Sequence, residues 1–390
     1  MKTHSLSYDA ELIILGGGCA GLSLAARILE QCPDFPLLIV EPRIRYEEDR
    51  TWCGWRTAPH FFADCVVSQW REWRIVTSRG RLQLHSEAYP YELIRASLVY
   101  EKATAVIGAS PGARTIAGAQ AMQVHDVGEY VEVHLEDRRI LRSPWVVDTR
   151  PQAQDLRKPW LWQNFVGYVV ACKEPMQLSD GVPTLMEFQP PGGAAAQFMY
   201  AIPFQDGRVL FECTRFSTLH GETQFLESEL NRWLTQRFGD QWCVERREAA
   251  SLPMAPAVRS TQQRVIHAGT RGGSTRISTG YAFHRIQRWA DVCSAAVLQD
   301  GAPVPPQANR LLDGMDELFL RVLQDPSTSA DELFGDLFAS CPTDCLIRFL
   351  SGIPRVSDLW PVVRGLPWGK FIRETPKVAR SWWNGTEGGL

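Results

Sequence analysis

No stretch of the 390 residues runs for ~18 positions as uncharged apolar sequence, so no membrane-spanning helix is expected. Nor does one charge sign dominate. The 41 Lys and Arg stand against 44 Asp and Glu, a formal net charge of −3, which lacks the basic footprint of a nucleic-acid binder. The eight His include no H-x3-H pair. The ten Cys are scattered, the closest being Cys341 and Cys345, and no second pair completes a zinc site; no metal is predicted. Internal repeats, long low-complexity segments and a signal peptide ahead of the first apolar run are all missing. The thiols therefore read as reduced groups in a cytoplasmic protein.

What is present starts near the N-terminus. Glu11–Leu15 reads as a buried strand, Leu22–Gln31 as a helix, and Pro36–Val40 as a second strand ending on Glu41. Between strand and helix lies Gly16-Gly-Gly18-Cys-Ala-Gly21, with G-x-G-x-x-G spacing and an acid twenty residues after Gly21. This is a dinucleotide-binding fingerprint. Gly16 permits the tight turn, Gly18 lets a pyrophosphate approach the backbone, and Gly21 lets helix pack on strand. The helix N-terminus offers free N–H groups to phosphate, and Glu41 can accept from a ribose hydroxyl. Its place near the N-terminus favours FAD over NAD as the resident cofactor.

Further on, 66–85 alternates like antiparallel strands, Tyr91–Tyr100 looks helical, and 120–142 has a hairpin pattern. Trp145–Asp148 reads as a buried strand. Trp162–Cys172, Pro183–Phe188, Gln197–Phe204 and Arg208–Thr214 read as successive strands, the last two joined by a Gln205-Asp-Gly207 turn. Gly221–Arg237 and Tyr281–Leu298 read as helices, with a short strand at 265–269. The expected architecture is α/β: a Rossmann-like FAD-binding domain (1–55, 90–150 and 260–300) interrupted by an antiparallel-sheet substrate domain (56–89 and 151–259). A helical C-terminal region (301–390) with proline breaks follows.

Several motifs then occur in one order: GGGCAGL at 16–22, DRTWCGW at 49–55, VVDTR at 146–150, WLWQNFVGY at 160–168 and PTLMEF at 183–188. FMYAIPF and RVLFECT follow at 198–214, STGYAF at 278–283 and LIRFLSG at 346–352. In these the chain resembles the flavin-dependent lycopene cyclases of bacteria. The resemblance implies non-redox cyclisation of the ψ-end groups of a linear carotenoid to β-ionone rings, with reduced FAD and with NAD(P)H as reductant. A proton would be added to the terminal double bond, and the resulting cation would close a six-membered ring. An FAD-dependent monooxygenase or prenyl reductase on the same scaffold is the alternative. A non-catalytic carotenoid- or lipid-binding flavoprotein is another.

Glu212 is the first catalytic candidate. Period two puts Leu210, Glu212 and Thr214 on one face of an otherwise apolar strand, where desolvation favours a protonated carboxyl. Pairing with Arg215 or Arg208 is the plain structural reading. The resemblance matches Glu212 to the first acid of the family's Glu-rich motif. Glu187 is a second candidate acid or an edge-strand surface carboxylate. Trp52, Trp55 and Tyr200 could cradle a polyene or its cation, or belong to the core. Asp148 could help hold the cofactor. Thr279 and Gly280 precede a helix, where their N–H groups could meet a phosphate or the flavin edge. Between Leu346 and Trp383 seven Lys or Arg accompany two acids and four Trp, including Trp382 and Trp383. That composition suits peripheral association with a membrane surface, and equally an ordinary packed C-terminal region.

Overall fold

The computed structural model describes residues 7–151, 156–172, 181–257 and 259–387; the side chains of Trp382 and Trp383 lie outside the described residues. The chain begins β1 (Leu12–Leu15), α1 (Cys19–Gln31), β2 (Leu37–Glu41), β3 (Thr51–Trp55), β4 (Val66–Trp70), β5 (Glu72–Thr77), β6 (Gly80–His85) and β7 (Tyr91–Arg95). It continues α2 (Ala96–Ala109), β8 (Ala113–Ala117), β9 (Ala121–Asp126), β10 (Val131–Leu135), β11 (Ile140–Ser143) and β12 (Trp145–Asp148). Then come β13 (Leu161–Cys172), β14 (Thr184–Phe188), β15 (Ala196–Pro203), β16 (Val209–Ser217), α3 (Thr223–Phe238), β17 (Trp242–Met254), β18 (Val265–His267) and α4 (Phe283–Asp300). Five helices follow: α5 (Arg310–Leu323), α6 (Ala330–Ser340), α7 (Thr343–Leu350), α8 (Val356–Arg364) and α9 (Trp368–Glu387).

The nucleotide motif sits on a five-stranded parallel sheet, β18-β12-β1-β2-β8. Its strands are apolar throughout because both faces are covered. Leu12, Ile14, Leu37 and Ile39 pack under α1, α2 and α4. Ile13, Leu15, Leu38 and Val40 pack against Val131, Val133 and Leu141 of the antiparallel β9–β10–β11 meander.

A second, seven-stranded sheet has the order β17-β13-β16-β15-β14-β5-β6 and is antiparallel except where β14 meets β5. Leu226, Leu230 and Leu234, four residues apart on α3, cover one face through Val166, Tyr168, Phe211 and Cys213. The other face turns to the C-terminal helices and to the small β3-β7-β4 sheet.

Two local expectations fail. Tyr91–Arg95 is a strand, and the helix begins only at Ala96. As the centre of β3-β7-β4, β7 is buried on both faces, so Tyr91-Glu-Leu-Ile shows no in-out alternation to betray it. In the C-terminal region Pro361 and Pro376 lie inside α8 and α9 rather than between helices.

Candidate active site

The nucleotide turn is built as the spacing requires. Gly16 has φ +93°, in the left-handed region that favours glycine. A Cβ on Gly21 would lie 2.0 Å from the Gly16 carbonyl oxygen, so α1 packs against the turn only through glycine. A Cβ on Gly18 meets nothing within 4 Å. The space in front of α1 is thus open where a pyrophosphate would approach.

Glu41 is buried, and its carboxylate accepts from the Gly17 N–H and from the Arg43 N–H and Nε at 2.9 and 2.7 Å. It holds the turn and an arginine in addition to whatever ribose contact it makes. Asp148 likewise takes Arg150 Nε and Nη2 at 2.9 and 2.8 Å and Arg271 Nη1 at 2.6 Å. Its effect is to fix two guanidinium groups, one of them packed beside Gly16.

A cavity of ≈ 180 Å³ lies between the seven-stranded sheet, β3, the 278–281 loop and the C-terminal helices. Leu210, Glu212, Thr214 and Phe216 of β16 face into it. Val209, Phe211 and Cys213 face α3 instead. The alternate pattern of β16 therefore delivers Glu212 to an apolar, aromatic-walled space. Tyr200, directly across on β15, lines the same wall. Trp55 contacts Tyr91 and Tyr281 edge-on at 5.2 and 5.3 Å between ring centroids. The Tyr91 and Tyr200 hydroxyls lie 2.8 Å apart.

Glu212 has no cation on it. Arg208 pairs with Asp206 and Glu245, and Arg215 with Glu222 on the α3 side. Among the described residues, the one polar contact of its carboxyl is the Thr214 hydroxyl, which donates at 2.6 Å. Burial, followed by the negative charge of Glu248, pushes the carboxyl up to about 8, against the donation from Thr214. It is an acid holding its proton at neutral pH.

Glu248 escaped the sequence reading. Glu212 of β16 and Glu248 of β17 both pair with Gly167 of β13, one from each side. A Cβ on Gly167 would come within 3.2 Å of the Glu248 Cγ, so the glycine leaves the gap across which the acids face each other. Burial raises the Glu248 carboxyl too, but Arg246 Nη1 donates to it at 2.7 Å and opposes the rise. Arg246 also donates to Thr51 of β3. Arg246 thus favours the charged form of Glu248, whereas Glu212 has no such cation among the described residues. Arg246-Arg247-Glu248 looks like solvated surface in sequence, and a bulge opposite Val169/Val170 breaks the simple alternation.

Other predicted residues divide. Trp55 and Tyr200 are in the cavity; Trp52 is not. Three positions apart in a strand, Trp52 and Trp55 point to opposite faces, and Trp52 stacks on Phe283 and meets Tyr100 in the core beneath α1 and α4. Glu187 sits away from Glu212, paired with Arg237 at 3.1 Å. Thr279 and Gly280 line the cavity, but both of their N–H groups bond to the Arg276 carbonyl. That loop is tied to α5 by the buried Arg276–Asp316 pair.

One cluster invisible in sequence spacing appears, and one motif plain in the sequence finds its place. His60 Nε2 lies 3.1 Å and His284 Nε2 4.0 Å from Glu92 Oε2. The Arg56 guanidinium sits 3.0 Å from the other Glu92 oxygen, which opposes a bound cation. Gly108-Ala-Ser110-Pro-Gly112 has the letters of a hydrolase nucleophile elbow, yet Ser110 is buried at the end of α2 and donates to the Val106 carbonyl. It is no strand-to-helix elbow.

Residues 11–373 match the lycopene cyclase protein family. The chain belongs to that family. It is 22% identical over 387 residues to the lycopene beta-cyclase of Pantoea ananas, spanning 94% of this chain and 96% of that one. Its fold is similar to that of a geranylgeranyl bacteriochlorophyll reductase-like protein from Thermoplasma acidophilum, with TM-score 0.64 and 13% identity over 95% of this chain and 99% of the other. A probable FAD-dependent monooxygenase from Pseudomonas aeruginosa is similar too, with TM-score 0.53 and 13% identity over 88% and 99% of the two chains. For this lycopene cyclase family member the expected α/β flavoprotein-like fold with its helical C-terminal region is therefore observed.

Proposed function

We propose that the protein cyclises the ψ-end of a linear, lycopene-like carotenoid to a β-ring, without net redox change and with FAD as resident cofactor. The observation that carries this reading is Glu212: a protonated carboxyl with no cation partner in an aromatic-walled cavity. The Glu212 acid gives its proton to the terminal double bond, leaving a tertiary cation at C1. The C5–C6 double bond attacks C1, the new ring bond forms, and the charge moves to C5. A carboxylate then removes one proton from C6, which yields the β-ring; loss from C4 would yield an ε-ring. One proton enters and one leaves.

Dry walls raise both the acid strength needed and the worth of each electrostatic contact. The faces of Trp55 and Tyr200 stabilise positive charge as it develops. A charge on Glu248, favoured by Arg246, would do the same and would also disfavour ionisation of Glu212 before substrate arrives. FAD fits the nucleotide turn: the open space before Gly18 and the N-terminus of α1 would take its pyrophosphate, with Arg150 and Arg271 nearby. Reduced FAD, kept so by NAD(P)H, would supply an electron-rich ring that favours a cation. Expression in a host that accumulates lycopene tests the function. The expected pigment is cyclic and equal in mass to its precursor; a pigment differing by oxygen or by two hydrogens would replace cyclisation with the redox alternative.

A membrane is the proposed source of so apolar a substrate. No helix among the described residues is long and apolar enough to cross one. On α8 and α9, however, Val356, Trp360 and Ile372 are 88%, 64% and 64% exposed. Several bases of this region are occupied internally, as in Arg348–Asp358, Arg373–Asp325 and Lys377–Glu374. Insertion of the apolar side chains should therefore outlast the electrostatic share. The protein is expected to float with liposomes, more strongly with anionic lipid and less in high salt. Failure to float with either lipid would remove the membrane from the scheme.

A further inference from the structure

A second cavity of ≈ 230 Å³ lies among α5–α9. It shares Ser278, Thr279, Phe334 and Leu350 with the cavity that holds Glu212, so the two spaces are separated only by a common wall. Its lining is almost wholly hydrocarbon, with Leu318, Leu337, Val363, Leu366 and Phe371 among it. The one carboxylate there, Asp316, is already paired with Arg276. Water gains little from such walls, because it needs two to four polar partners. The far end reaches solvent through Trp368 and Ile372, which line the cavity and are 44% and 64% exposed. Trp360 packs against Trp368 with ring centroids 5.9 Å apart, extending the apolar rim.

We propose that this cavity is the subsite for the unreacted length of the substrate chain. The linear polyene threads from the Trp368–Ile372 mouth, past Phe334 and Leu350, to present one end group to Glu212. The identity of the chain rests on the cyclase reading; the subsite itself rests on the wall that the two cavities share and on the apolar lining of the second. The catalytic cavity accommodates a folded end group, and a rigid conjugated chain attached to it must continue in a straight path. Among the described residues the helical cavity provides that path.

The test uses the FAD-loaded full chain and two linear polyenes bearing the same end group, one full-length and one half-length. Val363→Trp fills the cavity, and Ile372→Trp narrows its exposed mouth at a position where folding is not at stake. Both variants should weaken binding of the full-length polyene, read from the shift of its visible absorption. They should also lower kcat/KM for it by about tenfold more than for the half-length one, in line with what a filled apolar pocket discriminates. If both variants bind the full-length chain as the parent does, or lose both chain lengths equally, the subsite is overturned. If the parent binds both polyenes and turns over neither, the cyclase reading fails, and the binding difference between parent and variants still decides the subsite.

Discussion

Glu212→Gln is expected to fold, to bind FAD and to cyclise about a hundredfold more slowly or worse, the contribution of a positioned acid. Gln keeps the shape and can still meet the Thr214 hydroxyl, but it carries no proton to give and no later negative charge. The parent should lose activity as pH rises through about 8, where Glu212 releases its proton. Stability follows the same titration with a definite sign. The folded protein holds a proton on Glu212 that the unfolded chain releases near its ordinary value of 4.5, so the parent loses stability as pH rises from there towards about 8. Glu212→Gln lacks that loss, and its melting temperature should gain on the parent's across this window. Glu187→Gln is the control. Its carboxylate meets Arg237 outside the cavity, so the effect on turnover should be slight. Near-normal turnover by Glu212→Gln would move the acid role elsewhere, Glu248 across Gly167 being the next candidate.

Gly18→Val should abolish FAD binding in a folded protein. No atom lies within 4 Å of a Cβ at this position, so the side chain disturbs nothing in the chain itself. It occupies only the space a pyrophosphate needs at the N-terminus of α1. The purified variant should be colourless, with the circular dichroism of the parent. Retention of stoichiometric flavin would place the cofactor elsewhere. The same change at Gly21 would not separate binding from folding, because that Cβ collides with the Gly16 carbonyl.

Much of this site was legible in the sequence because two periodicities carried it. Glycines at 16, 18 and 21 marked the turn, and alternation in β16 put Glu212 among apolar neighbours. What stayed hidden depended on a third strand or on pairing across the chain. Glu248 faces Glu212 only because both flank Gly167 in the sheet, 45 and 81 residues from it. Trp52 was grouped with Trp55 by motif rather than by face, and strand geometry sends it to the opposite core. Asp148 and Glu41 read as ligands of a cofactor, and hidden beside that reading was the ordering of Arg150, Arg271 and Arg43 by their carboxylates. β7 reads as helix in the sequence because burial on both faces erases its alternation. The second cavity left no trace in sequence, since amphipathic helices look alike whether they close on each other or on a chamber.

The most direct measurement is the deuterium content of the product formed in heavy water from an unlabelled linear carotenoid. Proton delivery from Glu212, which exchanges with solvent, predicts one deuterium retained in each new ring and otherwise unchanged mass. A cyclic product free of deuterium would contradict protonation by an exchangeable acid.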